Sequence, residues 1–248
     1  MKSRHKKKIS IRQILIGLWI ALFPLFIFQW NWPVNTMRLR QGIIFVAGCL
    51  LAGAIFYIWP YKKWRYGFLA LIVVVATFLL LPISRTPDSH ALGLLYAQKL
   101  LAYKETPYLW DGEGSWGIDA PGLVRRALED AMVDYGFRTL NPSLIRNGIS
   151  LWWSDSSAHG IGAGYEGRTS VLMTGPSLNT LDYSKLQPGD MAVTLPQGVY
   201  VLAYLGDQTW IAAAPDMRKV TTYTIPEKSN TYFSAPMKTV RWNILNPQ

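Results

Sequence analysis

The sequence predicts three transmembrane α-helices followed by an α+β domain. Three apolar runs, each without a charged residue, lie in the first third of the 248-residue chain. Each is close to the roughly 20 residues that a helix needs to cross a bilayer. After residue 84 the apolar positions first follow a helical period and then form short, turn-bounded runs typical of strands. We therefore predict a membrane anchor over residues 1–84 and a soluble domain of helices and an antiparallel sheet over residues 85–248.

The predicted membrane helices cover about residues 14–32, 42–59 and 67–83. Aromatic side chains, which favour the headgroup level of a bilayer, cluster at the ends of these runs. They are Trp30, Trp32, Tyr57, Trp59, Tyr61, Trp64 and Tyr66. The basic start is typical of a signal peptide, but no small-residue cleavage site follows the first run. We therefore interpret this run as an uncleaved anchor.

Basic residues are distributed unevenly and predict the orientation of the chain. Residues 1–84 hold 11 of the 25 Lys and Arg residues and none of the 15 Asp and Glu residues. Six of these basic residues lie in the N-terminal tail, three in the loop 61–66 and two in the loop 35–41. Because positively charged segments stay in the cytoplasm, we predict a cytoplasmic N-terminus and a soluble domain outside the cytoplasm.

The soluble part of the chain is nearly neutral, with 14 basic and 15 acidic residues. The net charge of +10 therefore belongs to the anchor, and we predict no nucleic-acid partner, because a binding domain carries its own basic patch. The single cysteine, Cys49, lies inside the second apolar run and excludes a disulfide within one chain. The spacing of His, Asp and Glu predicts no metal site and no cofactor.

The soluble domain begins with helices. Asp88 and Ser89 can cap a helix that runs to about residue 104, and Asp119 with Pro121 begins a second helix at about 120–135. The stretch 136–186 is rich in Gly, Ser and Asn and predicts one short helix near 143–153. Five short strands follow, at 191–195, 199–205, 209–213, 220–225 and 239–244.

Four motifs occur in order along this domain. They are Thr-Pro-Tyr-Leu-Trp-Asp-Gly at 106–112, Gly-Ile-Asp-Ala-Pro-Gly-Leu-Val-Arg-Arg-Ala-Leu at 117–128, Leu-Gln-Pro-Gly-Asp at 186–190 and Val-Leu-Ala-Tyr-Leu-Gly at 201–206. Together they resemble the NlpC/P60 family of papain-like cysteine hydrolases, which cut peptidoglycan stem peptides. The resemblance covers about residues 105–215. It implies a papain-like fold, with a helix packed on an antiparallel sheet, and a place in the cytoplasmic (inner) membrane of a bacterium.

The catalytic positions of that family are occupied by other residue types in this chain. A thiol at the first turn of a helix, facing a histidine on a neighbouring strand, is activated by both the helix N-terminus and the imidazole. The resemblance places the nucleophile at Ala120, the base at Tyr200 and the orienting residue at Ala212. Alanine has no nucleophile, and a tyrosine with a reference pKa of about 10 is a poor base. We therefore expect a catalytically inactive chain.

The remaining site positions match the family more closely. The resemblance implies that Tyr108 helps bind an oxyanion and that Asp119 holds a substrate amine. Asp111 replaces a family glycine, and Trp110 and Trp116 are predicted to flank the cleft and to contact ligand. The predicted function is thus binding of a peptidoglycan stem peptide or an envelope protein, as a pseudoenzyme. The alternative is a cell-wall cysteine peptidase or amidase whose natural parent has Cys, His and His at the three catalytic positions.

Two further features leave alternatives open. A relocated dyad would need Ser115 and His159 to meet, whereas a lone loop histidine is more commonly solvated. Trp152 and Trp153 are interpreted either as core packing, which we favour, or as a cap over the cleft.

Overall fold

The computed structural model describes residues 10–83, 85–196 and 198–246. It divides into two compact units. The first holds most of the three apolar helices, and the second comprises Thr77–Gln248 together with the short segment Pro33–Asn35. The basic residues 2–8, which carry much of the predicted orientation, lie outside the described residues, as does His5.

Three long apolar helices begin the chain, and each is long and apolar enough to cross a membrane. They are α1 (Ile11–Asn31), α2 (Met37–Ile58) and α3 (Lys62–Leu80). The helices begin three to five residues before the predicted apolar runs, because polar residues cap and extend them. Ser10 caps α1 by accepting a hydrogen bond from the Gln13 amide, and Thr36 caps α2 by accepting one from the Leu39 amide.

A glycine allows close packing between α1 and α2. The indole Nε1 of Trp19 donates a hydrogen bond to the Leu50 carbonyl, 2.9 Å away, and its ring stacks on Tyr57. A Cβ atom at Gly53 would lie only 2.0 Å from the Trp19 ring. Close approach through a small residue is typical of packed membrane helices.

The soluble unit has four helices and eight strands among its described residues, as well as short 3-10 turns. The helices are α4 (Ser89–Ala102), α5 (Ala120–Arg138), α6 (Pro142–Trp153) and α7 (Ala158–Gly162). The strands are β1 (Glu113–Gly114), β2 (Gly117–Ile118), β3 (Thr169–Gly175), β4 (Met191–Thr194), β5 (Val201–Gly206), β6 (Thr209–Ala214), β7 (Lys219–Thr224) and β8 (Met237–Trp242). The predicted order of three apolar helices, then helices, then an antiparallel sheet is thereby confirmed.

Six strands form one antiparallel sheet in the order β3-β8-β4-β5-β6-β7. Strands β1 and β2 form a separate small hairpin just before α5. The central helix α5 packs against α4, α6, β5 and β6. Its predicted apolar face is buried, because Leu123, Val124 and Leu128 lie in the core. This arrangement places the first turn of α5 close to β5 and β6.

The Leu-Gln-Pro-Gly-Asp motif is structural. Asp190 is fully buried and pairs with Arg241 through two hydrogen bonds of 2.6 and 2.8 Å. Its Oδ2 atom also accepts a hydrogen bond from the Gln187 amide. Because an unpaired buried charge is costly, these bonds hold the turn before β4 against β8.

The prediction for residues 136–186 was wrong in part. Besides α6, the segment contains the short helix α7 and the strand β3. The burial of β3 does not alternate, since only Thr169 is buried and Ser170 and Val171 are both exposed. An edge strand of this kind has no two-residue apolar period for the sequence to display.

Candidate functional site

A cleft of about 340 Å³ lies at the N-terminal end of α5. The turn before the helix forms one side, with Tyr108, Trp110 and Asp111. The loop between α6 and α7, the segment before β5 and the turn before β8 complete the walls. Four elements that are distant in sequence therefore converge on the first turn of one helix.

The turn approaches α5 closely because glycine lies at the contact. A Cβ atom at Gly122 would be 2.2 Å from the carbonyl oxygen of Gly112. Likewise, a Cβ atom at Gly112 would be 2.6 Å from the carbonyl oxygen of Gly117. Any larger side chain would push the turn away from the helix and widen the cleft.

Asp119 joins the turn to the helix. Its Oδ1 atom accepts a hydrogen bond from the Gly122 amide at 2.7 Å, and its Oδ2 atom accepts one from the Asp111 amide at 3.1 Å. The first bond caps α5 as predicted. Burial raises the pKa of Asp119 to about 6, although both amides oppose that shift by stabilising the carboxylate. Asp119 is therefore mainly charged at pH 7 and takes up a proton in mildly acidic solution.

Ala120, the first residue of α5, is buried and borders the cleft. Its methyl group offers no electron pair with which to attack a carbonyl carbon. The amide groups at the N-terminus of a helix still favour negative charge at this point. Position 120 thus lies at a polarised helix end and carries no nucleophilic atom.

Tyr200 forms the opposite wall, and both its hydroxyl group and its backbone amide are hydrogen-bonded. Its hydroxyl donates a hydrogen bond to the Ala213 carbonyl at 3.1 Å, and its amide donates one to Thr194 Oγ1. Its ring stacks on Tyr232, with centroids 4.1 Å apart and planes inclined by 14°. Burial raises the pKa of Tyr200 well above the usual value of a phenol. The hydroxyl therefore stays protonated and already donates to the backbone.

Tyr108 lies half-buried beside Asp119. Its amide donates a hydrogen bond to the Arg218 carbonyl, which fixes the turn against the loop between β6 and β7. Burial raises the pKa of Tyr108, and the negative charge of Asp119 raises it further. A neutral phenol at this position can donate a hydrogen bond to a ligand oxygen.

Arg125 anchors the third wall. The guanidinium is buried and donates to Glu113 Oε1, to Asp155 Oδ1 and to the Ser154 carbonyl. Its Nε atom donates to the hydroxyl of Tyr165 at 3.1 Å. The guanidinium of Arg125, on α5, thereby holds β1 and the loop after α6 in place. Two carboxylates, those of Glu113 and Asp155, therefore bind the same guanidinium.

Most of the predicted site residues meet in this cleft. Its lining includes Tyr108, Trp110, Asp111, Asp119, Ala120 and Tyr200. Ala212 does not line it, because this residue is fully buried in β6. Trp116 lies in the exposed turn between β1 and β2 and also stays outside the lining.

The structure bears on the two alternatives that the sequence left open, the Ser115–His159 dyad and the role of Trp152 and Trp153. His159 lines the cleft but Ser115 does not, so the cleft brings no Ser115–His159 dyad together. Trp152 is partly buried and Trp153 is exposed, and neither lines the cleft. Neither tryptophan therefore caps the cleft. Among the described residues, no group of three His, Cys, Asp or Glu side chains could hold a metal ion.

Sequence reasoning missed Arg125, Glu113, Asp155 and Tyr232. Arg125 lay inside a recognised motif and was a polar residue on the otherwise apolar, core-facing side of a predicted helix, a pattern that indicates a buried ion pair. Tyr232 lies in a 3-10 turn of the segment before β8, where no motif marks it. Only the fold brings its ring against Tyr200.

No protein-family model matches the chain, and no curated protein matches it either. Three solved structures illustrate what it is similar to. NlpC2 from Trichomonas vaginalis has 16% identity and a TM-score of 0.41, with 63% of this chain and 48% of that chain covered. The NlpC/P60 domain of the peptidoglycan hydrolase SagA has 17% identity and a TM-score of 0.34, with 59% and 96% covered.

The third is the P60 domain of antigen MAP1204 from M. avium subspecies paratuberculosis, with 16% identity and a TM-score of 0.39 over 65% of this chain and 100% of that chain. This chain spans about half the length of the Trichomonas proteins that it matches. The structural neighbours of this protein are thus NlpC/P60 domains, at low sequence identity.

Proposed function

We propose that this protein is a membrane-anchored envelope protein that binds a peptide in its cleft and does not cleave it. The observation that carries the proposal is the hydrogen bond from the Tyr200 hydroxyl to the Ala213 carbonyl, opposite the methyl group of Ala120. A papain-like mechanism needs a thiolate, an imidazole to carry protons and a group to orient it. None of these stands at positions 120, 200 and 212.

The chemistry of the cleft favours a ligand with an amine. Asp111, Glu113, Asp119 and Asp155 line it, and Arg125 is already bound to two of them. The aromatic rings of Trp110 and Tyr232 supply flat surfaces on which a peptide or a cation can pack. The free amine of a peptidoglycan stem peptide, or of an envelope protein segment, suits this combination of charge and aromatic surface.

In our proposal the anchor spans the cytoplasmic membrane of a bacterium, and the cleft lies outside the cytoplasm. The bias of basic residues toward the N-terminal tail supports that orientation. One backbone contact also supports the assignment of three membrane-spanning helices. The Glu113 amide donates a hydrogen bond to the Pro33 carbonyl at 2.7 Å, so the connection between α1 and α2 touches the soluble unit. Three membrane crossings put that connection and the domain after α3 on the same side of a bilayer.

Binding is tested with the full-length chain in detergent or nanodiscs. A synthetic stem peptide with a free amine is titrated, and the same peptide with an acetylated amine is the control. We expect the free amine to bind more tightly, and D119N to remove that preference. The variant D182N is the matched control, because Asp182 also caps a short helix but lies outside the cleft lining.

Hydrolysis is measured on the same peptides. We expect no turnover above background from the unmodified chain. Turnover that disappears in H159A would show an active site built around the histidine of the cleft, and would overturn the proposal. Equal affinity for the free and acetylated peptides would show that the cleft does not recognise the amine.

Orientation is tested separately with reporters fused after Gln248. Alkaline phosphatase, which is active outside the cytoplasm, is expected to be active there. Activity of a cytoplasm-only reporter at the same position would reverse the proposed topology.

A further inference from the structure

A second cavity, of about 260 Å³, lies in the soluble unit away from the cleft. Its walls come from α5, from α6, from the residues just before β3 and from the end of β8 with the turn that follows. It shares no lining residue with the cleft. All of its lining belongs to one compact unit. The peptide binding proposed above makes no use of this space.

The inner wall of the cavity is apolar. Leu128 and Met132 lie four residues apart on α5 and so share a face of that helix. Leu151 and Trp242 complete this wall, and all four side chains are nearly fully buried. The indole N–H of Trp242 donates a hydrogen bond to the hydroxyl of Tyr96 at 3.2 Å, so the one polar group of this side chain is already bound. The wall therefore favours an apolar group, because a polar group would lose water here without gaining a partner.

The rim of the cavity is polar and carries one cation. It consists of Asn147, Ser150, Arg168 and Asn243. Asn147 and Ser150 lie three residues apart on α6, so they face the same side of that helix. Arg168 is the only charged residue among the described residues that line the cavity. A positive charge beside an apolar wall favours a ligand that joins a negative charge to an apolar body.

The protein itself holds Arg168 in position. Its Nη1 atom donates a hydrogen bond to Glu166 Oε2 at 2.9 Å, and its Nη2 atom donates one to Ser150 Oγ at 3.1 Å. The guanidinium carbon lies 5.1 Å from the ring centroid of Tyr165. The Arg168 carbonyl accepts a hydrogen bond from the Asn243 amide at 2.8 Å, which fixes the backbone as well. A side chain that is already ordered loses less conformational entropy when it binds an anion.

Arg168 retains the capacity to bind an anion. A guanidinium has five N–H donors, and the described part of the chain accepts hydrogen bonds from two of them. The Glu166 side chain is 70% exposed, and an exposed ion pair contributes little stability. A ligand carboxylate beside the apolar wall lies in a medium of lower dielectric constant, where the same pairing is stronger. Such a ligand can therefore replace Glu166 on the guanidinium.

We propose that this cavity binds a small organic acid, whose carboxylate pairs with Arg168 and whose apolar body lies on Leu128, Met132 and Trp242. The amide of Asn147, on the same rim, can donate a further hydrogen bond to the carboxylate. A planar carboxylate suits the fork of donors that a guanidinium presents. The site is separate from the cleft, so it does not depend on whether the cleft binds a peptide.

The test uses the full-length chain in detergent or nanodiscs, with isotope-labelled methionine methyl groups observed by NMR. Met132 lines the cavity, and M132L identifies its resonance. Met217, which is 51% exposed and lies outside the lining, is the internal control. Three probes are titrated: benzoate, benzamide as the uncharged analogue of the same shape, and acetate as the anion without a ring.

We expect benzoate to shift the Met132 resonance in a saturable manner while the Met217 resonance stays in place. Benzoate should bind about tenfold more tightly than benzamide, the effect expected of one charge-assisted pair. Acetate should bind more weakly than benzoate, because it leaves the apolar wall uncovered. If none of the three probes shifts the Met132 resonance, or if benzamide binds as tightly as benzoate, the proposal is wrong.

Two substitutions should change the affinity for benzoate in opposite directions. R168M keeps an apolar stem and should remove the preference for benzoate over benzamide. E166Q removes the competing carboxylate and should tighten benzoate binding several-fold. R138M is the matched control, because Arg138 is also an exposed arginine paired with an acid but lies outside the lining, and it should change nothing.

The E166Q variant keeps the test decisive even where R168M is poorly folded, since Glu166 is exposed and general damage to the fold would not strengthen binding. Unchanged or weaker benzoate binding in E166Q would show that Arg168 is not the partner of the carboxylate. Equal benzoate affinity in folded R168M and in the unmodified chain would overturn the proposal in the same way.

Discussion

The hydroxyl of Tyr200 donates a hydrogen bond to the main-chain carbonyl of Ala213 on the neighbouring strand, 3.1 Å away. This bond makes the Tyr200 side chain a structural support of the sheet. We expect Y200F to reduce the free energy of unfolding by about 1 kcal/mol, the usual net value of one hydrogen bond. We expect Y200A to cost about 3 kcal/mol or more, because it also removes the ring that packs on Tyr232.

Chemical denaturation of the two variants separates these contributions. Neither change should create or remove hydrolytic activity. A loss of activity in Y200F, with stability unchanged, would instead give the hydroxyl a catalytic role.

Ligand binding should depend on pH through Asp119. Its pKa of about 6 means that the carboxylate loses its charge as the pH falls below that value. An α-amine stays protonated up to about pH 8, so affinity for a free amine should be greatest between about pH 6 and 8. Titrations from pH 5 to 8 check this, and D119N should flatten the acid side of the profile. An unchanged acid side in D119N would place the titrating group elsewhere.

The pH dependence of folding stability should also reflect Asp119, but in the opposite direction: the contribution of this group to stability falls as the pH rises. Burial raises the pKa of Asp119 above the value of 3.8 that applies to an exposed carboxyl. The folded state therefore binds the proton more tightly, and the contribution of this group to stability is full below about pH 4 and falls as the pH rises toward and through 6. D119N, which keeps an oxygen to cap α5, should lose this dependence between pH 4 and 7.

Introducing a triad residue should destabilise the fold more at position 212 than at position 120. Ala120 borders the cleft, so A120C adds one sulfur atom next to open space and should change the melting temperature little. Ala212 is fully buried in β6, so A212H overfills the core, at a cost of about 1–3 kcal/mol or more. Thermal melts of the two single variants check this order. Equal melting temperatures would show that room exists beside Ala212.

The close approach of Gly122 to Gly112 should make α5 intolerant of a single methyl group. In G122A the new Cβ atom meets the Gly112 carbonyl at 2.2 Å, and the turn carrying Asp111 must shift. G93A in α4 is the matched control, because its nearest neighbour is 3.6 Å away and alanine favours a helix by about 0.5–1 kcal/mol over glycine. We expect G122A to weaken both folding and ligand binding, and G93A to weaken neither.

Arg125 should be the most sensitive charged residue of the cleft wall. R125M leaves the Glu113 and Asp155 carboxylates without their shared cation, and breaking a buried pair costs about 3–5 kcal/mol. R138M removes an exposed pair with Asp134 on the same helix and should cost less than about 1 kcal/mol. Denaturant midpoints compare the two. A similar small effect for both would mean that water replaces the guanidinium in the cluster.

The sequence predicted the features that depend on local chemistry. Apolar run length indicated the three helices that are long and apolar enough to cross a membrane, because a spanning helix must satisfy every backbone group internally over a fixed thickness. The Asp119 cap and Pro121 located the start of α5, because both act within one turn of the chain. Six of the residues named from the sequence line the cleft, since they lie in or directly beside the motifs at 106–112, 117–128 and 201–206.

Only the tertiary structure decided what surrounds those residues. Tyr232 and Arg125 became parts of the cleft because packing brings a turn near β8 and a loop after α6 against the start of α5. The same holds for the Pro33–Asn35 contact with Glu113, which joins residues 78 positions apart in the chain. Periodicity reports which side of an element is buried, not which distant element covers it. For that reason the sequence by itself determined the three apolar helices, the start of α5 and the residue types at positions 120, 200 and 212, whereas the way in which the cleft walls come together follows from non-local contacts.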